Sequence, residues 1–158
     1  MFSTIDTNRD HLKPFLPWVD FTKTLKDSEN YIKKTIQDWD TFKIFDYAIF
    51  VNGGKDYVGG GGVHTLSWVN RRAEFGYWIS KEFEGKGYIS EFVNTLAAEL
   101  FKIGFNRLEI RCNSANTRSS ALAKNLNFHC DGCLRKDTIE QGKFRDTLVY
   151  SKLKEDHS

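Results

Sequence analysis

The sequence predicts one α/β (α+β) domain, in which helices flank a mixed, mostly antiparallel sheet that contains a parallel strand pair. Three observations predict this class. Residues 42–80 read as short strands separated by turn residues, which is typical of an antiparallel meander. After Ser80 helices and strands alternate, which implies a parallel pair within the sheet. Before Phe42 the apolar spacing is helical. We expect a single domain over residues 1–158.

Composition limits the function classes. The chain has a formal net charge of +2, which argues against a dedicated nucleic-acid or membrane-surface binder. No apolar run approaches the ~20 residues of a membrane helix, and the first residues lack the basic and apolar regions of a secretory signal. Three cysteines, an odd number, do not form a disulfide framework, so we expect a reducing cytoplasm.

Two helices are expected before the sheet. The first has a face of four residues, and Pro14 and Pro17 disturb the helix. The residues on this face are His11, Leu12, Phe15 and Leu16. The second covers Tyr31 to Thr41 with Ser28 as its N-cap, and its apolar positions keep helical spacing: Tyr31, Ile32, Ile36 and Trp39.

The remaining elements follow from periodicity and turn residues. Strands are expected at Phe45–Asn52, Tyr57–Trp68, Ala73–Ser80, Arg107–Cys112, Phe128–Leu134 and Thr147–Leu153. The helix Ile89–Ile103 has an apolar face of Ile89, Phe92, Val93, Leu96, Leu100 and Ile103, and Gly104 suits its C′ position. A further helix, Thr117–Leu126, is expected to be capped by Asn116 and to end at a left-handed Asn127.

The most informative stretch runs from Phe75 to Glu91 and reads F-G-Y-W-I-S-K-E-F-E-G-K-G-Y-I-S-E. A strand leads through Gly85, Lys86 and Gly87 into a helix. Glycines let backbone N–H groups face a ligand, and the first-turn N–H groups of a helix lack partners at the positive end of its dipole. This pattern predicts an anion site suited to a pyrophosphate, to which Lys86 would add a charge and Ser90 a hydroxyl.

Two other nucleotide motifs fail here, and a plain tight turn stays an alternative. A dinucleotide fingerprint needs a third glycine where Ser90 stands, and a P-loop needs Ser or Thr where Gly87 follows Lys86. Gly76, inside an aromatic strand, marks either a bulge or the close approach of a ligand. A ligand with an extended amide arm and a pyrophosphate would use both features, and coenzyme A has that shape.

The helix expected at Thr117–Leu126 opens with polar groups that have more than one interpretation each. Asn116 either caps the helix or holds an amide arm. Ser119 either points outward, bonds a backbone carbonyl, or donates a hydrogen bond to a departing thiolate.

These motifs together resemble the GCN5-related N-acetyltransferases (GNAT superfamily), of the RimJ/RimL type that includes ribosomal-protein N-terminal acetyltransferases. The resemblance extends from about Asn8 to Leu153 and rests on V-N-R-R-A-E-F-G-Y-W-I-S-K-E-F-E-G-K-G-Y-I-S-E, N-T-R-S-S-A-L-A-K-N-L-N-F, G-C-L-R-K and D-T-L-V-Y-S. It implies the GNAT fold, acetyl-CoA as co-substrate, and a splayed parallel strand pair that admits the pantetheine arm. We expect the first strand of that fold to be absent here, so that either the chain is truncated or has an alternative start, or the sheet edge is filled another way.

The resemblance also implies roles for individual residues. The backbone of Tyr77, Trp78 and Ile79 would pair with pantetheine. Asn116 would contact pantetheine, and Ser119 would lie near the sulfur as general acid. The pyrophosphate would be held by Glu84, Gly85, Lys86, Gly87, Tyr88, Ile89 and Ser90. Thr138 stands where this branch often carries a glutamate, with Asp137 and Glu140 nearby, so the general base is left open.

Direct attack of a neutral amine on the thioester is the expected chemistry. The N–H of Ile79 or Trp78 would stabilise the oxyanion. Glu74 is the candidate base, directly or through a water, although it would equally pair with a neighbouring arginine. Glu109 and His64 are weaker candidates, since a histidine on a strand is more often structural.

A metal site is not expected. Cys130 and Cys133 form a C-x-x-C beside His129, but they fall on a predicted strand and lack a second paired ligand set. Reduced thiols are the better interpretation.

The leading hypothesis is an acetyl-CoA-dependent N-acetyltransferase for a primary amine, on a protein N-terminus or a small molecule. A non-catalytic acetyl-CoA-binding or assembly module is the alternative, and a peptide-binding domain without a cofactor is a third hypothesis. Residues 8–41 would build the acceptor pocket, and the aromatic content of 15% makes a homo-oligomer plausible.

Overall fold

A computed structural model describes residues 1–157 and divides the chain into two compact units. The first unit comprises Met1–His64 with Gly76–Ile89, and the second comprises Thr65–Phe75 with the chain from Ser90 onward. Six strands form one mixed sheet in the order β1-β2-β3-β4-β6-β5. In the part of the chain described, no strand precedes β1, so the sheet lacks the first strand that the resemblance leads one to expect.

The elements have these bounds. The helices are α1 (Phe2–Thr7), α2 (Arg9–Leu12), α3 (Leu25–Asp40), α4 (Tyr88–Lys102) and α5 (Thr117–Asn125), with 3-10 turns at Pro17–Phe21, Lys81–Phe83 and Lys154–His157. The strands are β1 (Phe45–Val51), β2 (Asp56–Ser67), β3 (Arg72–Ile79), β4 (Arg107–Asn113), β5 (His129–Glu140) and β6 (Lys143–Leu153). Among the described helices, none is long and apolar enough to cross a membrane.

The start of α3 differs from the prediction. The helix begins at Leu25, and its N-cap is Thr24, whose hydroxyl accepts the Asp27 N–H while the Asp27 carboxylate accepts the Thr24 N–H. This reciprocal pair is a capping box, which satisfies two of the first N–H groups. Ser28 lies one turn inside the helix and is buried, so its assignment as the N-cap was wrong. The apolar residues of α3 are all more than a third exposed: Leu25, Tyr31, Ile32, Ile36 and Trp39.

The four-glycine run in β2 is explained by close backbone contacts in the first unit. A Cβ on Gly59 would lie 2.3 Å from the carbonyl oxygen of Trp78, and one on Gly62 would lie 2.2 Å from that of Phe45. No side chain fits at these separations, so both positions require glycine. The core of this unit holds Ile5, Leu12 and Val19, packed against Met1, Leu16, Trp18 and Trp78.

In the second unit β3 pairs with β4 in parallel over Arg72–Phe75 and Arg107–Ile110, which confirms the predicted parallel pair. One face of these strands is buried: Ala73, Phe75, Leu108, Ile110 and Cys112. The opposite face carries charged residues, since successive side chains of a strand alternate between faces.

Helix α4 ends as the sequence predicts. Gly104 has a φ of +101°, the N–H of Phe105 donates to the Leu100 carbonyl and that of Gly104 to the Phe101 carbonyl. These two bonds form a Schellman motif with glycine at C′. Its buried face is shifted from the prediction, because Ile103 is 56% exposed while Ala97 and Phe101 are buried.

The last two strands form a longer hairpin than predicted. β5 and β6 pair as far as Glu140 and Lys143, and the two residues between them, Gln141 and Gly142, have φ values of +50° and +73°. Positive φ at both central residues is the signature of a type I′ turn, which matches the twist of a hairpin. The predicted ends at Leu134 and Thr147 fall where bulges interrupt the pattern.

Candidate functional site

The loop between β3 and α4 has the geometry expected of an anion-binding turn. A 3-10 turn at Lys81–Phe83 follows β3, and α4 begins at Tyr88. Gly85 and Gly87 have φ values of +70° and +86°, and a Cβ at either would meet no atom within 4 Å. The backbone is therefore left-handed at both positions and open on the side where a side chain would stand. The first turn of α4, Tyr88 to Ser90, supplies N–H groups without intrahelical partners.

Lys86, between the two glycines, is oriented by an aromatic ring. Its Nζ lies 4.7 Å from the centroid of the Phe83 ring, a cation–π distance, and that ring lies 6.2 Å from the ring of Tyr88. The ammonium group is thereby placed beside the loop, as expected for a residue that adds positive charge to an anion site.

Two side chains from the N-terminal segment contact the approach to this loop. The Nε2 of His11 lies 3.0 Å from Oε1 of Glu84, and the Oδ1 of Asn8 accepts the N–H of Lys81 at 2.9 Å. His11 belongs to the helical face that the sequence predicts to be apolar, but its ring pairs with a carboxylate 73 positions along the chain. No local pattern could have revealed the contact, since it joins residues far apart in sequence.

The backbone of Tyr77, Trp78 and Ile79 alternates in direction. The N–H of Ser80 donates to the Val58 carbonyl at 2.8 Å, and the Trp78 carbonyl faces Gly59. The backbone groups of both residues therefore point toward β2. Because successive residues of a strand direct their backbone groups to opposite edges, the backbone groups of Tyr77 and Ile79 point to the other edge of β3. The Trp78 ring packs against Trp18 and Tyr57, with centroids 5.8 and 5.9 Å away.

Gly76 makes room for a side chain of the protein. A Cβ there would lie 3.1 Å from Nε2 of His64 and 3.2 Å from its Cδ2, so the imidazole covers this glycine. The close approach expected at Gly76 is thus made by His64. This packing also gives His64 a structural role, as expected for a histidine on a strand.

In the second unit, Asn116 is the N-cap of α5. Its Oδ1 accepts the N–H of Ser119 at 3.1 Å, which confirms the predicted cap. Asn127 has a φ of +58°, which confirms its left-handed conformation after the helix. The side chain of Ser119 forms a hydrogen bond with Cys112. Burial raises the pKa of the Cys112 thiol, and the bond to Ser119 opposes that rise.

Glu74 lines a small pocket on the charged face of the second unit. Its partner in the parallel register is Glu109, and the other lining residues are Thr65, Arg72, Ala73 and Arg111. The Nε of Arg107 lies 2.7 Å from Oε1 of Glu109, which fixes that carboxylate. Thr65 has a φ of +52°, an uncommon conformation for a β-branched residue, at the rim of this pocket.

The acidic residues near Thr138 contact other groups of the second unit. Asp137 accepts from Arg111 at 3.1 Å, and Glu140 accepts from the amide of Asn113. Thr138 itself pairs with Arg145 across the hairpin. These contacts give Asp137 and Glu140 partners within the second unit.

The cysteines do not cluster with other ligands. Cys112 is buried, whereas Cys130 and Cys133 are exposed on β5. Among the side chains that the structure describes, no group of three or more His, Cys, Asp or Glu is placed to hold a metal ion.

Comparison with known proteins identifies the family. A family model described as an acetyltransferase (GNAT) domain matches residues 1–129. This chain belongs to the GNAT acetyltransferases. YdaF of Bacillus subtilis (strain 168), named as a candidate ribosomal N-acetyltransferase, is 33% identical over 87% of this GNAT chain and 76% of its own. The ribosomal-protein-serine acetyltransferase of Escherichia coli (strain K12) is 24% identical over 97% of this chain and 85% of its own.

Solved structures agree with the assignment. The microcin C7 self-immunity acetyltransferase MccE, in complex with acetyl-CoA and AMP, has a TM-score of 0.92 at 27% identity and covers 96% of this chain and 84% of its own. RimL in complex with coenzyme A shares the fold with a TM-score of 0.92 at 22% identity, over 99% of this chain and 88% of its own. The GNAT fold and the resemblance are thus confirmed. The protein is an acyltransferase that uses acetyl-CoA and transfers the acetyl group to an amine.

Proposed function

We propose that this GNAT acetyltransferase acetylates the N-terminal α-amine of a protein. The names of YdaF and of the Escherichia coli relative both refer to ribosomal acceptors, which supports a protein amine over a small one. The reaction is a direct transfer, in which holding amine and thioester together removes much of the entropic barrier.

Donor binding rests on the loop after β3. The observation that carries this assignment is the pair of left-handed glycines, Gly85 and Gly87, with open space at both. Their backbone and the first turn of α4 would hold the diphosphate, with Lys86 adding charge. The assignment covers Glu84, Gly85, Lys86, Gly87, Tyr88, Ile89 and Ser90.

The pantetheine arm is assigned to backbone and cap residues. Tyr77 and Ile79 direct their backbone groups to the edge of β3 opposite β2, so they carry the pairing, whereas the Trp78 backbone is turned to Gly59. Ile79 is therefore the proposed oxyanion donor of the two candidates. Asn116 would contact the arm with the amide hydrogens that capping leaves available, because only its Oδ1 accepts from Ser119.

Acetyl-CoA supplies the thioester whose carbonyl the amine attacks. Ser119 would donate its hydroxyl proton in a hydrogen bond to the departing thiolate. Glu74 would take the proton from the acceptor ammonium, directly or through a water. Glu109, its neighbour in the parallel register, lines the same pocket together with Arg72 and Arg111.

We also propose a cellular location and an oligomeric state. A ribosomal acceptor would place the enzyme in the cytoplasm. The exposed apolar residues of α3, β1 and the turn between them, among them Ile36, Phe42 and Phe50, support a homo-oligomer, which light scattering coupled to size exclusion would test.

The direct test is an acetylation assay with two matched peptides. One has a free N-terminal amine and no lysine, and the other has a blocked N-terminus and one lysine. We expect thiol release and a mass increase of one acetyl group with the first peptide only. Acetylation of neither peptide, together with turnover of a small amine, would overturn the protein-acceptor proposal. Donor binding is checked separately, because acetyl-CoA at about 100 times its Kd should add about 2.7 kcal/mol to the free energy of unfolding.

A further inference from the structure

One side chain of the diphosphate loop has the same sign of charge as the group that we assign to the loop. Glu84 directly precedes Gly85, so a carboxylate stands at the start of a turn that we assign to a dianionic group. Like charges at such short range disfavour binding unless one of them is compensated. The structure shows how Glu84 is compensated.

The imidazole of His11 pairs with this carboxylate. Its Nε2 lies 3.0 Å from Oε1 of Glu84, and the two side chains are only 12% and 32% exposed. An N–H donated to a carboxylate spreads the negative charge and fixes the direction of the side chain. The carboxylate is thereby held on the His11 side of the loop.

His11 is presented by a segment that is itself fixed. Its neighbour Leu12 is 4% exposed in the core of the first unit. Arg9, two residues before His11, donates to the carbonyls of Val19 and Thr22 at 3.0 and 2.6 Å. The ring therefore has a defined position before any donor arrives.

Asn8 contacts the other end of the approach to the loop. Its Oδ1 accepts the N–H of Lys81 at 2.9 Å, and its Nδ2 donates to the Thr4 carbonyl at 2.9 Å. Asn8 and His11 thus contact the first residue of the 3-10 turn Lys81–Phe83 and the residue that directly follows it. The turn that delivers the chain into the loop is held at two points by one short helical segment.

We propose that His11 is a positioning residue for donor binding, which acts by holding the Glu84 carboxylate away from the diphosphate and fixing the start of the loop. The proposal rests on the proposed role of Glu84–Ser90 as the diphosphate site. It predicts that His11 affects only donors that carry the diphosphate. A residue with a merely structural role would affect all donors alike.

The test compares two donors, acetyl-CoA and S-acetylpantetheine, which share the thioester and the pantetheine arm, whereas only acetyl-CoA carries the diphosphate and the 3′-phosphoadenosine attached to it. For His11→Ala we expect the KM for acetyl-CoA to rise about tenfold, the loss typical of one charge-assisted hydrogen bond, with kcat nearly unchanged. The ratio of kcat/KM between the variant and the wild type should stay near one for S-acetylpantetheine. The double variant His11→Ala/Glu84→Gln should regain most of the acetyl-CoA affinity, because no uncompensated carboxylate remains.

Two further variants control for folding. His129→Ala removes a histidine that also contacts a carboxylate, Asp131 at 3.1 Å, but lies on β5 in the second unit, so its donor kinetics should match the wild type. If His11→Ala does not fold, His11→Gln keeps a donor toward Glu84 and should lose less than threefold in acetyl-CoA affinity, while Glu84→Gln in that background changes little.

The outcomes distinguish a failure of the His11 proposal from a failure of the diphosphate assignment. An equal rise of KM for both donors in His11→Ala, or no recovery in the double variant, would overturn the role of His11. If the wild type used both donors equally well and Gly87→Glu changed neither, the diphosphate assignment itself would fail, independently of His11.

Discussion

Glu74 lies directly opposite Glu109 in the parallel register of β3 and β4, so two carboxylates share one face of adjacent strands. Arg107 contacts Glu109 at 2.7 Å, and both acidic residues line the same small pocket with Arg72 and Arg111. Opposing like charges destabilise neighbouring strands, and these guanidinium groups offset that repulsion. Glu74 is the residue that we propose as the base for the acceptor amine.

Replacing Glu74 by Gln should reduce kcat by about a hundredfold at neutral pH, the lower end of general-base effects. The loss should shrink as the pH rises above the pKa of the acceptor α-amine, about 8, because the amine then arrives already neutral. Profiles of kcat against pH measure this. Glu109→Gln is the control, and it should mainly raise the KM of the acceptor. A Glu74→Gln defect that stays constant with pH would contradict a role as base.

Gly87→Glu should abolish acetyl-CoA binding, because it adds a negative charge and a side chain at a left-handed position of the diphosphate loop. Calorimetric titration with acetyl-CoA measures the loss. Gly142→Glu is the matched control, since that residue has a similar φ of +73° with open space around it in the β5–β6 turn. It should show comparable backbone strain and unchanged binding. If both variants bound acetyl-CoA equally, the loop would not hold the donor.

Ser119→Ala should lower kcat by about ten- to a hundredfold, because the departing thiolate loses one hydrogen bond to a charged group. Binding of coenzyme A should be retained. Ser120→Ala serves as the control: its hydroxyl lies 2.6 Å from that of the buried Tyr150, so its loss should lower stability and leave kcat close to that of the wild type. Loss of coenzyme A binding in Ser119→Ala, with kcat intact at saturation, would show that Ser119 binds the donor without assisting departure.

Thr24→Ala should lower the free energy of unfolding by about 1 kcal/mol, the usual effect of removing a helix N-cap. The hydrogen bond from the Thr24 side chain, followed by those from the Thr24 and Lys23 backbones, lowers the pKa of Asp27. A lowered folded-state pKa stabilises the fold above the unfolded pKa, and that stabilisation is lost as the pH falls through the folded value. The difference between wild type and variant should therefore shrink in acid. Urea unfolding at pH 7 and pH 3 checks this, and a difference that grows in acid would refute the cap.

The strong local signals of this sequence were sufficient for most of the fold. The strands, the parallel pair, the end of α4 at Gly104 and the cap at Asn116 all depend on patterns within a few residues. The start of α3 was misplaced because Ser28 also fits a cap, and only the reciprocal bonds of Thr24 and Asp27 distinguish the two positions.

The rest depends on contacts between distant parts of the chain. His64 against Gly76 and His11 against Glu84 join residues that no periodicity connects. The length of the β5–β6 hairpin was underestimated because its bulges near Cys130 and Leu134 break the alternation that marks a strand. Backbone direction at Trp78 and Ile79 likewise follows from the pairing of β3 with β2, which the sequence does not specify residue by residue.

The most direct measurement is a stoichiometric single-turnover experiment with acetyl-CoA and a peptide with a free N-terminus, read by thiol release and by peptide mass. Wild-type protein should release one free thiol for each peptide molecule that gains an acetyl group, and the Gly87→Glu variant should produce neither. Thiol release without a modified amine, or equal activity of that variant, would contradict the account.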